Sequence, residues 1–245
     1  MLRSRGLAAI ISLTVASGAC VFDPGAPSRA DDQPDLVDDP ADVGVGPGIP
    51  GASDAGATTQ PEVPALLTPF GMGIVTDFLG GNGGDSYSID CPDGRVVVGF
   101  DADDNDFGLC HLRSVCRALR IVDGSLVFDG EVMTEAVGSE NSTRPTPPVR
   151  CPNGQLVVGF RGTRGPAPDR LVHSIRIECA PIAWDGSAAI VGASEGVDDD
   201  LGSPSSLGTG SGHCEHGTVA AGFTGRAGTI VDRFAMRCFA LNQTF

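Results

Sequence analysis

The stretch CPNGQLVVGFRGTRGPAPDRLVHSIRIEC, residues 151–179, decides the fold, because the chain carries it in three altered copies. Residues 91–116 read CPDGRVVVGFDADDNDFGLCHLRSVC, and residues 214–238 read CEHGTVAAGFTGRAGTIVDRFAMRC. The shared frame is an opening cysteine, a glycine three residues on, a short apolar run, a Gly-Phe pair, a turn, and an alternating segment that closes on cysteine. The opening cysteines (Cys91, Cys151, Cys214) and the closing ones (Cys116, Cys179, Cys238) recur about every 60 residues, a period that marks a repeat architecture. Each window reads as a β-hairpin. Val96, Val98 and Phe100 lie on one face of a strand, as do Leu156, Val158 and Phe160, and Val219, Ala221 and Phe223. The return strands alternate through Ile175 and Ile177, or Phe234 and Met236. The glycine before each phenylalanine predicts a bend or a close approach of backbone.

Outside the windows, residues 65–88, 121–148 and 182–212 carry Gly, Ser, Asp and Pro between short apolar runs. Ile121-Val122, Leu126-Val127-Phe128 and Ala188–Val191 read as further strands, and no helical stripe of useful length appears. Each repeat then holds about four strands, and a sheet of that size must bury its apolar face against the other two. Six of the eight cysteines pair within repeats, Cys91–Cys116, Cys151–Cys179 and Cys214–Cys238. Each bridge would staple one hairpin, at about 3 kcal/mol for a loop of this size. Cys110 is left over within the first repeat.

The first residues are a targeting device. Arg3 and Arg5 precede the apolar run Leu7–Val15, which is too short to span a bilayer, and Ser17-Gly18-Ala19 is a small-residue cleavage site followed by Cys20. This arrangement resembles a bacterial lipoprotein signal, with Ser17 where that family usually has an aliphatic residue. The resemblance implies lipid on Cys20 and an exported protein, anchored to the outer membrane or extracellular. Residues 20–65 are rich in Asp, Pro and Gly, with Arg29 as the basic residue among them. Such a segment predicts an extended, disordered linker. The whole chain carries −15, has Arg but no Lys, and has no apolar stretch of spanning length. Nucleic acid is thereby excluded as a partner, since phosphate recognition needs a basic face. A membrane is reached through the lipid alone.

Two short motifs carry a resemblance for residues 66–245. Gly80-Gly81-Asn82-Gly83-Gly84 stands before the first hairpin, and Gly228-Thr229-Ile230-Val231-Asp232 stands inside the third. A glycine-rich loop near the start and a G-x-x-x-D segment near the end resemble jacalin-type lectins. The cysteine pair in each repeat is similar to vitelline membrane outer layer protein. Both families imply an all-β, pseudo-threefold β-prism of three four-stranded antiparallel sheets. The competing threefold fold is a β-trefoil, whose Q-x-W signature is missing, the single Trp being Trp184.

The lectin resemblance implies a sugar site at Asp232, with Gly228, backbone donors of Ile230 and Val231, and the loop Gly80, Gly81, Asn82, Gly83 and Gly84 around it. The chemistry is sound: a carboxylate accepts bonds from two hydroxyls, and glycine lets backbone donors come close. Gly165-Pro166-Ala167-Pro168-Asp169 has the same spacing, with no glycine loop expected beside it.

Asp101-x-Asp103-x-Asn105 resembles the start of a calcium loop, but Asp106 replaces the required glycine, so a solvated acidic turn is the expectation. His213 and His216 flank Cys214 and are not read as metal ligands. No cofactor motif, nucleophile elbow or zinc-protease motif occurs. The function expected is non-catalytic binding of a glycan or polysaccharide, the alternative being a structural or protein-interaction module of the cell envelope.

Overall fold

A computed structural model describes residues 65–139, 144–197 and 199–244. The expectations for the signal segment, Cys20 and most of the acidic linker lie outside those residues. The fold begins with β1 (Ala65–Val75), β2 (Leu79–Gly80) and β3 (Asp85–Asp90). The first hairpin is β4 (Val96–Asn105) and β5 (Gly108–Val122), followed by β6 (Ser125–Met133), β7 (Val137–Gly138), β8 (Arg144–Pro145) and β9 (Val149–Arg150). The second is β10 (Gln155–Arg164) and β11 (Val172–Trp184), followed by β12 (Ala189–Val191), β13 (Glu195–Gly196), β14 (Leu201–Gly202) and β15 (Thr209–His213). The third is β16 (Thr218–Ala227) and β17 (Val231–Thr244).

All pairings among these strands are antiparallel, and one arrangement recurs. β6 and β7 lie beside β5, with β8 and β9 beside β4. β12, β13 and β14 lie beside β11, with β15 beside β10. The third hairpin comes last, so its flanks come from the start of the fold: β1 and β2 lie beside β17, and β3 beside β16. With each interrupted flank taken as one strand, the result is three four-stranded sheets in pseudo-threefold arrangement, a β-prism. β1 also meets β5 over Ala65–Leu67 and so joins the third sheet to the first.

The strands stand where the repeats place them, but their facing differs from strict alternation. Register slips between Val97 and Gly99, between Val157 and Gly159, and between Ala220 and Gly222. One extra residue, Val98, Val158 or Ala221, makes a bulge, and an added residue reverses the facing of all that follows. Val96 and Val98 therefore pack with Leu67 and Leu119, whereas Phe100 joins Val97 and Ala102 in the central core. Leu156 and Val158 separate from Phe160 in the same way. The central core is aromatic. Phe100 meets Phe223 edge-on at 5.7 Å between centroids, and Phe160 meets Phe234 at 4.9 Å. Such pairs add about 0.5–1.5 kcal/mol beyond the area buried.

The extra residue has a use. A bulge leaves one residue out of the hairpin ladder. Its carbonyl instead accepts the backbone N–H of the next opening cysteine: Val98 from Cys151 at 2.8 Å, Val158 from Cys214 at 2.7 Å, and Ala221 from Cys91 at 2.8 Å. Each opening cysteine thus prolongs the outer strand of one sheet, while its sulfur bonds the return strand of the next. The three disulfides are those the repeats predict. Their role is wider than stapling single hairpins, because together they tie sheet to sheet around the axis. Cys110 is buried and stands outside these bridges.

Candidate functional site

Leu79, 1% exposed, anchors β2 in the central core. Its neighbour Gly80 pairs with Arg233 at φ +108°, and a Cβ there would overlap the Asp232 carbonyl oxygen. Only glycine fits this backbone conformation and this approach. Gly81 N–H then donates to the same carbonyl at 2.7 Å. The loop turns back so that Gly83 and Gly84 lie directly against the Asp232 carboxylate, where a Cβ on either would collide with it. Arg226 of β16 clamps the loop from outside, with Nε donating to the Gly83 carbonyl at 2.9 Å and Nη2 to the Gly84 carbonyl at 2.6 Å.

The result is a cleft of about 750 Å3, with Gly80, Gly81, Asn82, Gly83 and Asp232 on one wall. Gly84 packs under the carboxylate. Gly228 makes the turn by donating to the Ile230 carbonyl at 3.1 Å. Ile230 leans towards Gly108, and Val231 is buried where it pairs with Ala227, so both sit behind the turn rather than on the cleft wall. The backbone N–H that reaches the carboxylate is that of Gly228.

The opposite wall comes from the second repeat. Gly165 N–H donates to the Leu171 carbonyl at 2.9 Å and Arg170 N–H to the Pro166 carbonyl at 3.0 Å, closing the turn that carries Asp169. Gly81 lies so close to Asp169 that a Cβ would overlap its carbonyl oxygen. The expectation that the Asp169 turn has no glycine loop beside it is therefore corrected: threefold packing brings the third repeat's loop onto the second repeat's turn. Arg164, Arg170 and Arg233 also line the cleft, and Phe78 closes one end with the Arg233 guanidinium 4.3 Å above its ring.

Burial pushes the Asp232 carboxyl above its ordinary value of 3.8, with the charge of Asp169 adding to the rise; the Gly228 N–H and Arg226 act the other way. Tyr87, beneath the loop, donates to the Arg233 carbonyl at 2.9 Å. Burial first, and the Asp232 charge second, hold its phenol protonated far above the usual range.

A second cleft, of about 700 Å3, lies over the outer face of β10, β11 and β15. Its charges are spent on one another. Glu178 meets Arg161 at 2.6 Å and His213 at 2.5 Å, and Arg176 meets Asp200 at 2.6 Å. Ser194 Oγ lies 3.3 Å from His213, but on Nε2, the nitrogen that Glu178 also contacts. A nucleophile relay needs the two ring nitrogens to face the two partners separately. Asp101, Asp103 and Asn105 correct another expectation. They belong to β4 rather than to a solvated turn. Asp101 is bridged to Arg113 at 2.6 Å, and Asp104, 1% exposed, accepts a bond from Ser203. Among the described residues no group of three His, Cys, Asp or Glu side chains is placed to hold a metal.

Sequence reasoning found the Asp232 wall and missed Arg164, Arg170, Arg233 and Phe78. The signal for the second wall was the G-x-x-x-D spacing of Gly165–Asp169. No protein-family model and no curated protein matches the chain. Among solved structures it is similar to the Calystegia sepium agglutinin, at 16% identity and a TM-score of 0.47 over 70% of this chain and 99% of that one. Calsepa lectin in complex with a biantennary N-glycan gives 17% and 0.48 over 70% and 99%. A mannose-binding jacalin-related lectin from Ananas comosus gives 16% and 0.45 over 69% and 98%.

Proposed function

We propose that this chain is a non-catalytic carbohydrate-binding protein, exported and held at a bacterial envelope through lipid on Cys20. The observation that supports the reading is the seat of Asp232. Its carboxylate stands at an open cleft, packed against Gly83 and Gly84 of the glycine-rich loop. A carboxylate in that position accepts bonds from two neighbouring hydroxyls of one sugar ring. Each charge-assisted bond is worth about 1.5–3 kcal/mol.

The test is a glycan array probed with the full chain, followed by calorimetry of the best ligand with wild type and Asp232→Asn. Binding that drops tenfold or more in the variant supports the reading. An array with no hits, or hits that Asp232→Asn leaves unchanged, refutes it and favours a protein-interaction module.

A further inference from the structure

The arginines of this molecule differ in what they are paired with. Most on the sheet faces are matched with carboxylates, among them Arg113 with Asp101, Arg150 with Glu131, Arg161 with Glu178, Arg176 with Asp200, and Arg237 with Asp90, while Arg117 and Arg226 donate to backbone carbonyls. Arg164, Arg170 and Arg233 make no ion pair among the described residues, and all three line the Asp232 cleft. Arg233 stacks on Phe78, and its buried Nε has no hydrogen-bond partner. Arg170 sits at the tip of its turn at φ +50°, a conformation that a side chain other than glycine rarely takes. Arg164 lies alongside Gly208, its main chain fixed by a 2.9 Å bond to that residue's carbonyl.

This is a chain with 16 basic residues against 31 acids. Carboxylates are in excess and most described arginines have one, so three arginines without one in a single cleft concentrate positive charge there. Against them stand Asp169 and Asp232, so the cleft has a surplus of positive charge inside a molecule of net charge −15. A guanidinium offers a planar fork that matches the two oxygens of a carboxylate or sulfate, and it gives up its hydration more readily than an ammonium.

Resting on the saccharide reading above, we infer that the ligand is an acidic saccharide. Asp232 takes its neutral hydroxyls, and Arg164 and Arg170 on the facing wall take an anionic substituent, a uronate carboxylate or a sulfate ester, with Arg233 adding positive charge from the Asp232 side. The two walls then divide the work. The third repeat reads the sugar ring, and the second repeat supplies two of the three arginines that read the charge.

The experiment uses the full chain on an array of matched pairs that differ only in charge. Trigalacturonate is set against its methyl ester, and lactose 3′-sulfate against lactose. The charged member of at least one pair should bind tenfold or more tighter, and the pair that responds identifies carboxylate or sulfate as the anion. That advantage should shrink at 0.5 M salt, where screening reaches within about 5 Å. It should vanish in Arg164→Gln/Arg170→Gln, whose thermal midpoint should match wild type because both side chains lie outside any ion pair. Equal binding of both members of each pair, or a preference that survives the double variant, overturns the inference. Equal binding that Asp232→Asn still abolishes leaves the saccharide reading standing. Absence of binding to every charged and neutral probe overturns the inference, and the full glycan array then decides the broader reading by itself.

Discussion

The carbonyl oxygen of Val158 receives the backbone N–H of Cys214 at 2.7 Å. Val158 is the bulge residue of the second hairpin, and Cys214 is bonded through sulfur to Cys238 of the third. One hydrogen bond and one disulfide therefore meet at a single residue and lock two sheets together. The same joint occurs at Cys91 and at Cys151.

Removing the joint should loosen a boundary between sheets. Cys214→Ser/Cys238→Ser opens a loop of 24 residues in sequence separation, worth about 3 kcal/mol in the chain-entropy account. Chemical denaturation should show that loss. Hydrogen exchange should quicken at Cys214 and along β15 more than in the β4–β5 hairpin; uniform protection would mean the bridge serves its own hairpin alone.

The Gly-Phe glycines should resist substitution. A Cβ at Gly222 would overlap both an Asp90 carboxylate oxygen and the Ile89 carbonyl. Gly222→Ala should cost about 1–3 kcal/mol, the range of overpacking. Gly196, with open space around it and no positive φ, is the control: Gly196→Ala should stay within about 0.5 kcal/mol. Thermal melts of the two variants decide the matter.

These joints show how far the sequence can be read. Cysteine spacing and the Gly-Phe pairs predict the hairpins, the threefold order and the disulfide partners. They do not predict the facing of Val96 and Phe100, because a bulge adds one residue without changing composition, and alternation counts cannot register it. The site divides in the same way. Asp232 and the Gly80 loop carry a spacing that can be recognised. Arg164 and Arg170 become cleft residues only when the second repeat's turn packs against the third repeat's loop, a proximity of folding rather than of sequence.

Saccharide binding should depend on pH through Asp232. Its carboxyl is raised above 3.8, and hydroxyl recognition needs the ionised form. Affinity is therefore full at neutral pH and falls as pH drops through a value higher than that of an ordinary aspartate. Asp169 contributes to the rise, so Asp169→Asn should move the midpoint downwards. Asp232→Asn should remove the dependence along with at least tenfold of the affinity, about 1.4 kcal/mol. Because the folded environment disfavours the Asp232 charge, the same change should not lower the thermal midpoint at pH 7. Calorimetry and melts across pH test both halves.

Anchoring has its own test. Mass spectrometry of the native protein should find lipid on Cys20, and Cys20→Ser should move the protein to a soluble fraction. An unmodified Cys20 in the native protein would show export without an anchor.

The pairing of β1 with β17 sets an order of events. Thr244 donates to the Leu66 carbonyl across 178 residues, and β2 and β3 likewise wait for β17 and β16. As the chain is made, the first two hairpins can close early, while β2 and β3 stay without partners, and β1 has only its short pairing with β5, until the last repeat emerges. The Asp232 cleft is assembled at that final step, from the earliest and the latest segments together. A chain interrupted before Val231 would keep two of its sheets and have no cleft at all. Retention on an immobilised ligand would thus separate complete molecules from unfinished ones.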